Sequence, residues 1–175
     1  MEPQATDHDP GHDDDADDNA PGRQAPDPEH FTWSDEYLLG FGPMDDTHRE
    51  FVDCVRAMLD ADDAGFLAAL DAFAEHAVRH FDDEKRWMLE TSFPAAGCHI
   101  DEHEAVLKSV REVREALAGG EEVELGRSLA RELVNWFPGH ADYLDSALSQ
   151  WLVKRTHGGA PVVLRRDILP GTGSR

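Results

Sequence analysis

The sequence predicts an all-α protein, namely an antiparallel up-down-up-down four-helix bundle with an N-terminal non-helical arm. Three observations lead to this fold class. Four segments carry apolar residues at the three- and four-residue spacing of one helix face. Proline or glycine residues separate several of these segments, and the connections are only a few residues long. Long helices joined by short connections lie antiparallel to their neighbours, so a bundle is the simplest arrangement.

Composition divides the chain into three parts. Residues 1–30 contain ten acidic residues against Arg23 and almost no large apolar side chain, so we predict a disordered acidic tail. Residues 31–153 are predicted to form the arm and the bundle. The arm, "FTWSDEYLLGFGPM", is apolar but broken by glycine and proline, which indicates an ordered, non-helical segment lying on a core. Residues 154–175 are predicted to be a basic C-terminal extension.

The four helices follow in order, and boundary signals mark the first three. We expect the first to begin near Asp45, a favourable N-cap, and the second near Asp62–Asp63. Pro94 ends the connection after the second helix, and Gly119–Gly120 ends the third. The predicted inward stripes are, helix by helix, His48, Phe51, Val52, Val55, Met58 and Leu59; Phe66, Leu70, Phe73, Ala77, His80, Glu84, Trp87 and Met88; His99, His103, Val106, Val110, Val113 and Leu117; and Leu125, Leu129, Leu133, Trp136, His140, Leu144, Leu148 and Trp151.

The charge of the chain excludes some classes of partner. The formal net charge is −21 at pH 7. A surface this acidic repels a phosphate backbone, so we expect no nucleic acid partner. No apolar run reaches the roughly 18 residues of a membrane span, and the N-terminus lacks the basic and apolar regions of a signal peptide. The sequence therefore predicts a cytoplasmic protein that does not contact a membrane, and it leaves a protein partner open.

Residues that bind metals interrupt the apolar stripe of every predicted helix. Burying imidazoles and carboxylates among apolar side chains is costly unless they are paired or coordinated. We therefore predict a metal site whose ligands are His48, His80, Glu84, His99, His103, His140 and Asp145. Seven ligands are too many for one ion. Two ions that share both carboxylates and a hydroxide would each have five or six ligands, which suits iron or manganese better than structural zinc.

Two local features qualify this ligand set. His76 lies four residues before His80 and could replace it, but the pairing of His80 with Glu84 favours His80 as the ligand, with His76 beside the site or on the surface. In a straight helix, Asp145 would point about 140° away from His140. We therefore predict a kink or a widened turn that brings both side chains inward. Pro138 in the same helix removes one backbone hydrogen bond and disturbs the preceding turn.

The order of the seven residues, H…HxxxE…HxxxH…HxxxxD, resembles the hemerythrin family, in particular the bacterial hemerythrins, over residues 31–153. The motifs "DDTH", "HFDDE" and "WFPGH" also stand where this family has its short motifs. The family has the five-residue HxxxxD spacing without always having a proline where Pro138 stands. The resemblance implies two iron ions (Fe2+/Fe3+) with a bridging oxo or hydroxo group. It further implies that one iron is bound by His99, His103 and His140. The other iron would be bound by His48 and His80, and the bridging carboxylates would be Glu84 and Asp145.

The same resemblance implies reversible binding of dioxygen at an open position on the second iron. Neutral imidazoles outnumber carboxylates, which favours ferrous iron and an intact O–O bond, so an oxygen-binding protein for storage, delivery or sensing is favoured over an enzyme. We predict that Phe51, Trp136 and Ala141 line the oxygen pocket. The family often has a bulkier residue where Ala141 stands, so we expect a roomier pocket and faster autoxidation. This leaves open a di-iron enzyme acting on peroxide or nitric oxide, or an iron- or oxygen-responsive regulatory module.

Overall fold

A computed structural model describes residues 26–157 of the chain, and within this range it contains long helices and no strand. In chain order the helical segments are α1 (Gly42–Asp60), α2 (Phe66–Thr91), α3 (Ala96–Ala118), α4 (Val123–His140), a π-helical segment (Ala141–Asp145) and α5 (Ser146–His157). The last three segments follow without a break and form the fourth helix of the bundle. None of the helices between residues 26 and 157 is long and apolar enough to cross a membrane. Most of the predicted acidic tail and basic extension lies outside the described residues.

The four helices pack as a closed antiparallel bundle, which confirms the predicted fold class. Helix α1 packs against α2 and α4, and α3 packs against the same two neighbours. Short connections make each helix run opposite to the one before it. The buried faces form two apolar clusters at different levels. The larger includes Phe51 and Phe137, and the smaller includes Met88 and Leu148. The predicted metal ligands lie at the level between them.

The N-terminal arm is ordered and lies on the bundle. It is largely extended, but it contains two single turns of 3-10 helix, Pro28–His30 and Asp35–Tyr37. The buried rings of Phe31 and Tyr37 meet the ring of Phe137 edge-on, with centroid distances of 6.2 and 5.2 Å. The arm therefore covers the aromatic part of the core that borders the predicted site.

Helix α1 begins before Asp45, so the prediction of Asp45 as its N-cap was wrong. Phe41 is the N-cap, and Pro43 occupies the first turn, where its fixed φ is favourable and its missing N–H is not needed. The Asp45 carboxylate instead accepts hydrogen bonds from the backbone N–H groups of Leu39 and Gly40, at 2.7 and 3.1 Å. This residue fastens the end of the arm to the first turn of α1.

The other boundaries differ less from the predictions. Helix α2 begins at Phe66 rather than near Asp62–Asp63, because Asp62 accepts a hydrogen bond of 2.8 Å from the Gly65 N–H and closes a turn before the helix. Helix α3 ends at Ala118, and Gly120 follows with a φ of +98°, so the predicted glycine stop is confirmed.

The buried face of the fourth helix differs from the predicted stripe. Leu125 is 43% exposed whereas Gly126 is buried, and Phe137 is fully buried whereas Trp136 is only partly so. The predicted stripe assumed one uninterrupted α-helix. The π-helical segment instead shifts the phase of the helix, so a single α-helical period does not describe both of its ends.

We predict that Gly126→Ala destabilises the bundle. An added Cβ would overlap the ring of Phe66 and touch Leu117. Overpacking costs about 1–3 kcal/mol, which exceeds the gain of up to about 1 kcal/mol from replacing glycine by alanine in a helix. Gly139→Ala is the matched control, because nothing lies within 4 Å of its added Cβ. Urea unfolding should show lower stability for the first variant and equal or higher stability for the second. Equal effects would contradict this account of the packing.

Candidate metal centre

All seven predicted ligand side chains converge between the two apolar clusters. Each is buried, and the most accessible is 5% exposed. They are His48 on α1, His80 and Glu84 on α2, His99 and His103 on α3, His140 at the end of α4 and Asp145 at the end of the π-helical segment. Every helix of the bundle thus contributes at least one group, so the site exists only when all four helices are packed in register.

The Glu84 carboxylate lies between two sets of imidazoles. Its Oε1 atom is 3.0 Å from His80 Nε2 and 3.8 Å from His48 Nε2. Its Oε2 atom is 3.3 Å from His99 Nε2 and 3.6 Å from His103 Nε2. Each oxygen of this carboxylate therefore faces a different set of histidines.

The Asp145 carboxylate divides its contacts in the same way. Its Oδ2 atom is 3.1 Å from His48 Nε2, and its Oδ1 atom is 3.1 Å from His99 Nε2 and 3.3 Å from His140 Nε2. The π-helical segment makes this geometry possible. The Ser146 N–H donates to the Ala141 carbonyl five residues earlier, which widens the turn and brings Asp145 to the same side as His140. The predicted widened turn is confirmed.

The ligand atoms form two overlapping groups. One ligand atom from each of the five residues of the first group lies within 4.8 Å of all the others, and the second group of three meets the same limit. The two groups share Glu84 and are Glu84, His99, His103, His140 and Asp145, and His48, His80 and Glu84. In the first group, His140 Nε2 lies 3.1 Å from His99 Nε2 and 2.9 Å from His103 Nε2. Three imidazole nitrogens thus converge on one small region.

The buried polar atoms at this centre fit cations better than they fit one another. Both Asp145 oxygens, Glu84 Oε2 and both nitrogens of His48 are buried without a hydrogen bond among the described residues. Several lie within 3.1 Å of a polar atom but are not aligned for a hydrogen bond. Unpaired buried polar groups are costly, and groups aimed at a shared point are the usual arrangement of metal ligands. These residues form a cluster suited to holding metal.

The electrostatics of the cluster show how strongly the carboxylates attract positive charge. Burial and the Asp145 charge oppose ionisation of Glu84, but the contacts with His80 and His99 outweigh them and lower the pKa of Glu84. Burial lowers the pKa of His99, yet its close contacts with the negatively charged carboxylates of Asp145 and Glu84 raise that pKa to about 9. Burial and the neighbouring imidazoles hold the pKa of His103 down at about 3. Metal binding would replace the proton that the carboxylates retain on His99.

The three residues predicted to line a pocket all lie beside the cluster. Phe51 is fully buried, and its ring centroid is 6.4 Å from that of His80. Trp136 is partly buried and stacks on His140, with ring centroids 4.2 Å apart. Ala141 is buried at the start of the π-helical segment. Phe51 therefore forms an apolar border beside His80, and Trp136 forms one beside His140.

Sequence reasoning missed two aromatic residues at this border. Phe137 stacks on Phe51 at 4.8 Å and meets the His48 ring edge-on at 5.3 Å. Its place three residues before His140 is the signal that could have identified it. Phe81 stacks on His103, with ring centroids 3.8 Å apart and an interplanar angle of 7°. No spacing rule indicated this contact, because it depends on how α2 and α3 pack.

Two polar neighbours complete the surroundings. His76 is buried, with its Nδ1 atom 3.4 Å from Glu50 Oε2, and it belongs to neither ligand group. Its ring centroid is 5.4 Å from that of His80. Glu102, which the sequence analysis did not single out, accepts hydrogen bonds from His140 Nδ1 and Trp136 Nε1 at 3.0 and 2.9 Å.

Comparison with known proteins agrees with this geometry. The profile of the family described as "Hemerythrin HHE cation binding domain" matches residues 40–152. The chain belongs to the hemerythrin family. A bacteriohemerythrin from Ralstonia nicotianae is 42% identical over 123 residues, which cover 70% of this chain and 89% of the relative. Bacteriohemerythrins from Stenotrophomonas maltophilia and Pseudomonas paraeruginosa are 28% identical over 137 residues and 24% identical over 140 residues, covering 73% and 74% of this chain and 90% and 92% of those relatives.

The resemblance predicted from the seven residues is therefore confirmed at the level of the family. Together with the buried histidine and carboxylate cluster, membership of the hemerythrin family identifies a metal-binding protein, for which iron is the typical metal.

We predict that His76→Gln reduces the acid sensitivity of the metal-free hemerythrin. Burial and the charges of His80, Arg79 and His48 lower the pKa of His76 from 6.5 to about 4. As the pH falls, His76 takes up a proton in the unfolded chain at a higher pH than it does in the folded protein. The folding free energy that depends on neutral His76 is therefore fully present above about pH 6.5 and is lost as the pH falls towards 4. At pH 5 this loss is about 2 kcal/mol. Urea unfolding with a chelator at pH 7 and 5 should show a smaller difference in the variant. The same pH dependence in both proteins would contradict the assignment.

Proposed function

We propose that this chain is a non-haem di-iron protein that reversibly binds dioxygen at an open position on one iron. His99, His103 and His140 would hold one iron and His48 and His80 the other, in keeping with the family resemblance. Glu84 and Asp145 would bridge the two ions, together with an oxo or hydroxo group. The iron pair, when bound, supplies the electron density that holds dioxygen reversibly.

The observation that carries this proposal is the division of both carboxylates between two sets of imidazoles. One oxygen of Glu84 faces His48 and His80, and the other faces His99 and His103. The oxygens of Asp145 are also divided, one towards His48 and one towards His99. A single ion held by His99, His103 and His140 would leave Asp145 Oδ2 buried without a partner, which is costly. A second ion held by His48 and His80 would satisfy that oxygen as well.

An unequal number of histidines supports an open position on one ion. Three imidazoles belong to one set and two to the other, while both sets share the same carboxylates. An ion held by His48 and His80 would therefore have one fewer protein ligand, and an exogenous molecule could bind there without displacing a side chain.

The border of this open side supports binding of an apolar molecule without bond cleavage. Phe51 and Phe137 stack beside His48 and His80 and restrict the entry of water. His76, a titratable group that packs against His80 and lies outside both ligand groups, has a pKa lowered to about 4 and is neutral at pH 7. It therefore lacks the acidic proton of an imidazolium at that pH, and an acidic proton donor is what an enzyme needs to cleave an O–O bond efficiently.

One feature favours a second candidate function, a di-iron enzyme acting on peroxide or nitric oxide. The small side chain of Ala141 beside His140 leaves more room for a ligand than a bulkier aliphatic residue would. An iron- or oxygen-responsive regulatory module would use the same centre and would need a separate partner.

Spectroscopy of the reconstituted protein tests the proposal. The full chain is loaded with Fe2+ without air, exposed to dioxygen and then purged with argon. Reversible binding predicts a visible charge-transfer band that appears, disappears on purging and returns with fresh dioxygen. Immediate irreversible oxidation, or turnover with added peroxide, would instead support the enzyme. Preferential binding of two zinc ions over iron would contradict both functions.

We predict that His80→Gln and His76→Gln differ in metal content. The wild-type chain should bind two iron ions. His80→Gln should bind at most one, because the two-histidine set loses half of its imidazoles. His76→Gln is the matched control, a buried histidine on the same face of α2 that lies outside both ligand groups, and should still bind two. The number of iron ions bound per chain after desalting, measured by elemental analysis, tests this prediction. Loss of iron in the His76 variant alone would mean that the ligand assignment is wrong.

We predict that enlarging residue 141 prolongs the life of the oxygenated protein. Ala141→Val and Ala141→Ile should slow autoxidation progressively, because larger side chains fill the pocket and exclude water and small anions. The decay of the charge-transfer band measures this rate. Thermal unfolding and iron content serve as controls, because Ala141 is buried and larger side chains also risk overpacking. A wild-type lifetime equal to that of a folded, iron-loaded Ala141→Ile protein would refute the prediction.

A further inference from the structure

The five cluster imidazoles differ in the hydrogen bonding of Nδ1, the outer ring nitrogen that points away from the proposed metal. Nδ1 is buried without a hydrogen-bond partner among the described residues in His48, His80, His99 and His103. In His140, by contrast, Nδ1 lies 3.0 Å from Glu102 Oε1. A carboxylate that accepts a hydrogen bond from the outer N–H of a metal-binding histidine fixes the tautomer and increases the basicity of the other nitrogen. Within residues 26–157, this arrangement occurs at one of the five imidazoles.

A second contact holds the Glu102 carboxylate in place. The Trp136 indole N–H donates to the same Oε1 atom at 2.9 Å. The Trp136 ring also stacks on the His140 ring, with centroids 4.2 Å apart and an interplanar angle of 29°. The imidazole of His140 is therefore constrained by a hydrogen bond in its plane and by an indole against its face.

We propose that Glu102 is a positioning residue that directs His140 Nε2 towards the metal and makes His140 the most strongly donating imidazole of the centre. The proposal rests on the function proposed above, because it concerns the ion held by three histidines. The Nδ1–H of His140 donates to Glu102, which leaves Nε2 free to bind the metal. A negatively charged acceptor increases the electron density on the ring, so it stabilises the ferric state and lowers the reduction potential of that iron.

The position of Glu102 allows a matched control. Its side chain is 40% exposed, and it lines a surface cavity of about 390 Å³ together with Glu132. Glu102→Gln and Glu132→Gln change the net charge equally and on the same cavity wall. Glu132 makes none of the contacts with His140 or Trp136 that Glu102 makes. Only the first substitution should therefore alter the metal centre. Both side chains are solvent-accessible, so we expect both variants to fold.

The test compares three full-length proteins: the wild type, Glu102→Gln and Glu132→Gln. Chelator competition should show metal binding roughly 10-fold weaker in Glu102→Gln, at the low end of the effect of such supporting residues. Its iron pair should also have a higher reduction potential, which a loss of packing alone would not produce. Glu132→Gln should match the wild type in both measurements.

NMR of the zinc-loaded, 15N-labelled proteins adds a readout that does not need iron. The His140 Nδ1–H should give a downfield signal that exchanges slowly with water, and Glu102→Gln should shift it. Failure of the wild type to bind two metal ions would overturn the proposed function. Normal binding by the wild type, with Glu102→Gln indistinguishable from Glu132→Gln in affinity and potential, would overturn only the role of Glu102.

Discussion

The structure depends on one costly feature: two carboxylates, Glu84 and Asp145, lie fully buried in the centre of the bundle. Removing a carboxylate from water costs several kcal/mol unless opposite charge and well-placed contacts offset it. Five imidazoles surround the pair, yet three of the four carboxylate oxygens have no hydrogen bond among the described residues. Cations bound between the two sets of histidines would satisfy these oxygens. The free energy of metal binding would then also be free energy of folding, since no single helix carries a complete ligand set.

The rest of the bundle holds this centre at a defined position. Apolar clusters pack above and below it and fix how far each helix can slide along its neighbours. The π-helical segment solves a separate problem, because a regular α-helix would point Asp145 away from His140. One widened turn aligns the two side chains, and the helix then continues to His157. The N-terminal arm closes the aromatic side through Phe31 and Tyr37, both packed on Phe137.

The sequence predicted the features that depend on local spacing and did not predict those that depend on how helices meet. His80 and Glu84 stand four residues apart, as do His99 and His103. This spacing alone predicts that the two members of each pair lie on the same face of a helix. The start of α1 was misplaced because Asp45 resembles an N-cap, whereas its carboxylate bonds to the arm. The role of Glu102 was not predicted because its contacts with Trp136 and His140 join α3 to α4. Neither the charge of a residue nor its place in a helical period predicts a contact between two helices.

The central claim is that two metal ions share the buried carboxylates, and anomalous diffraction from iron-loaded crystals tests it most directly. Data collected on both sides of the iron absorption edge locate iron independently of the protein model. The account predicts two iron peaks in the bundle core, one beside the nitrogens of His48 and His80 and one beside those of the other three histidines. Oxygens of both Glu84 and Asp145 should contact each peak. A single peak, or two peaks that share neither carboxylate, would contradict the account.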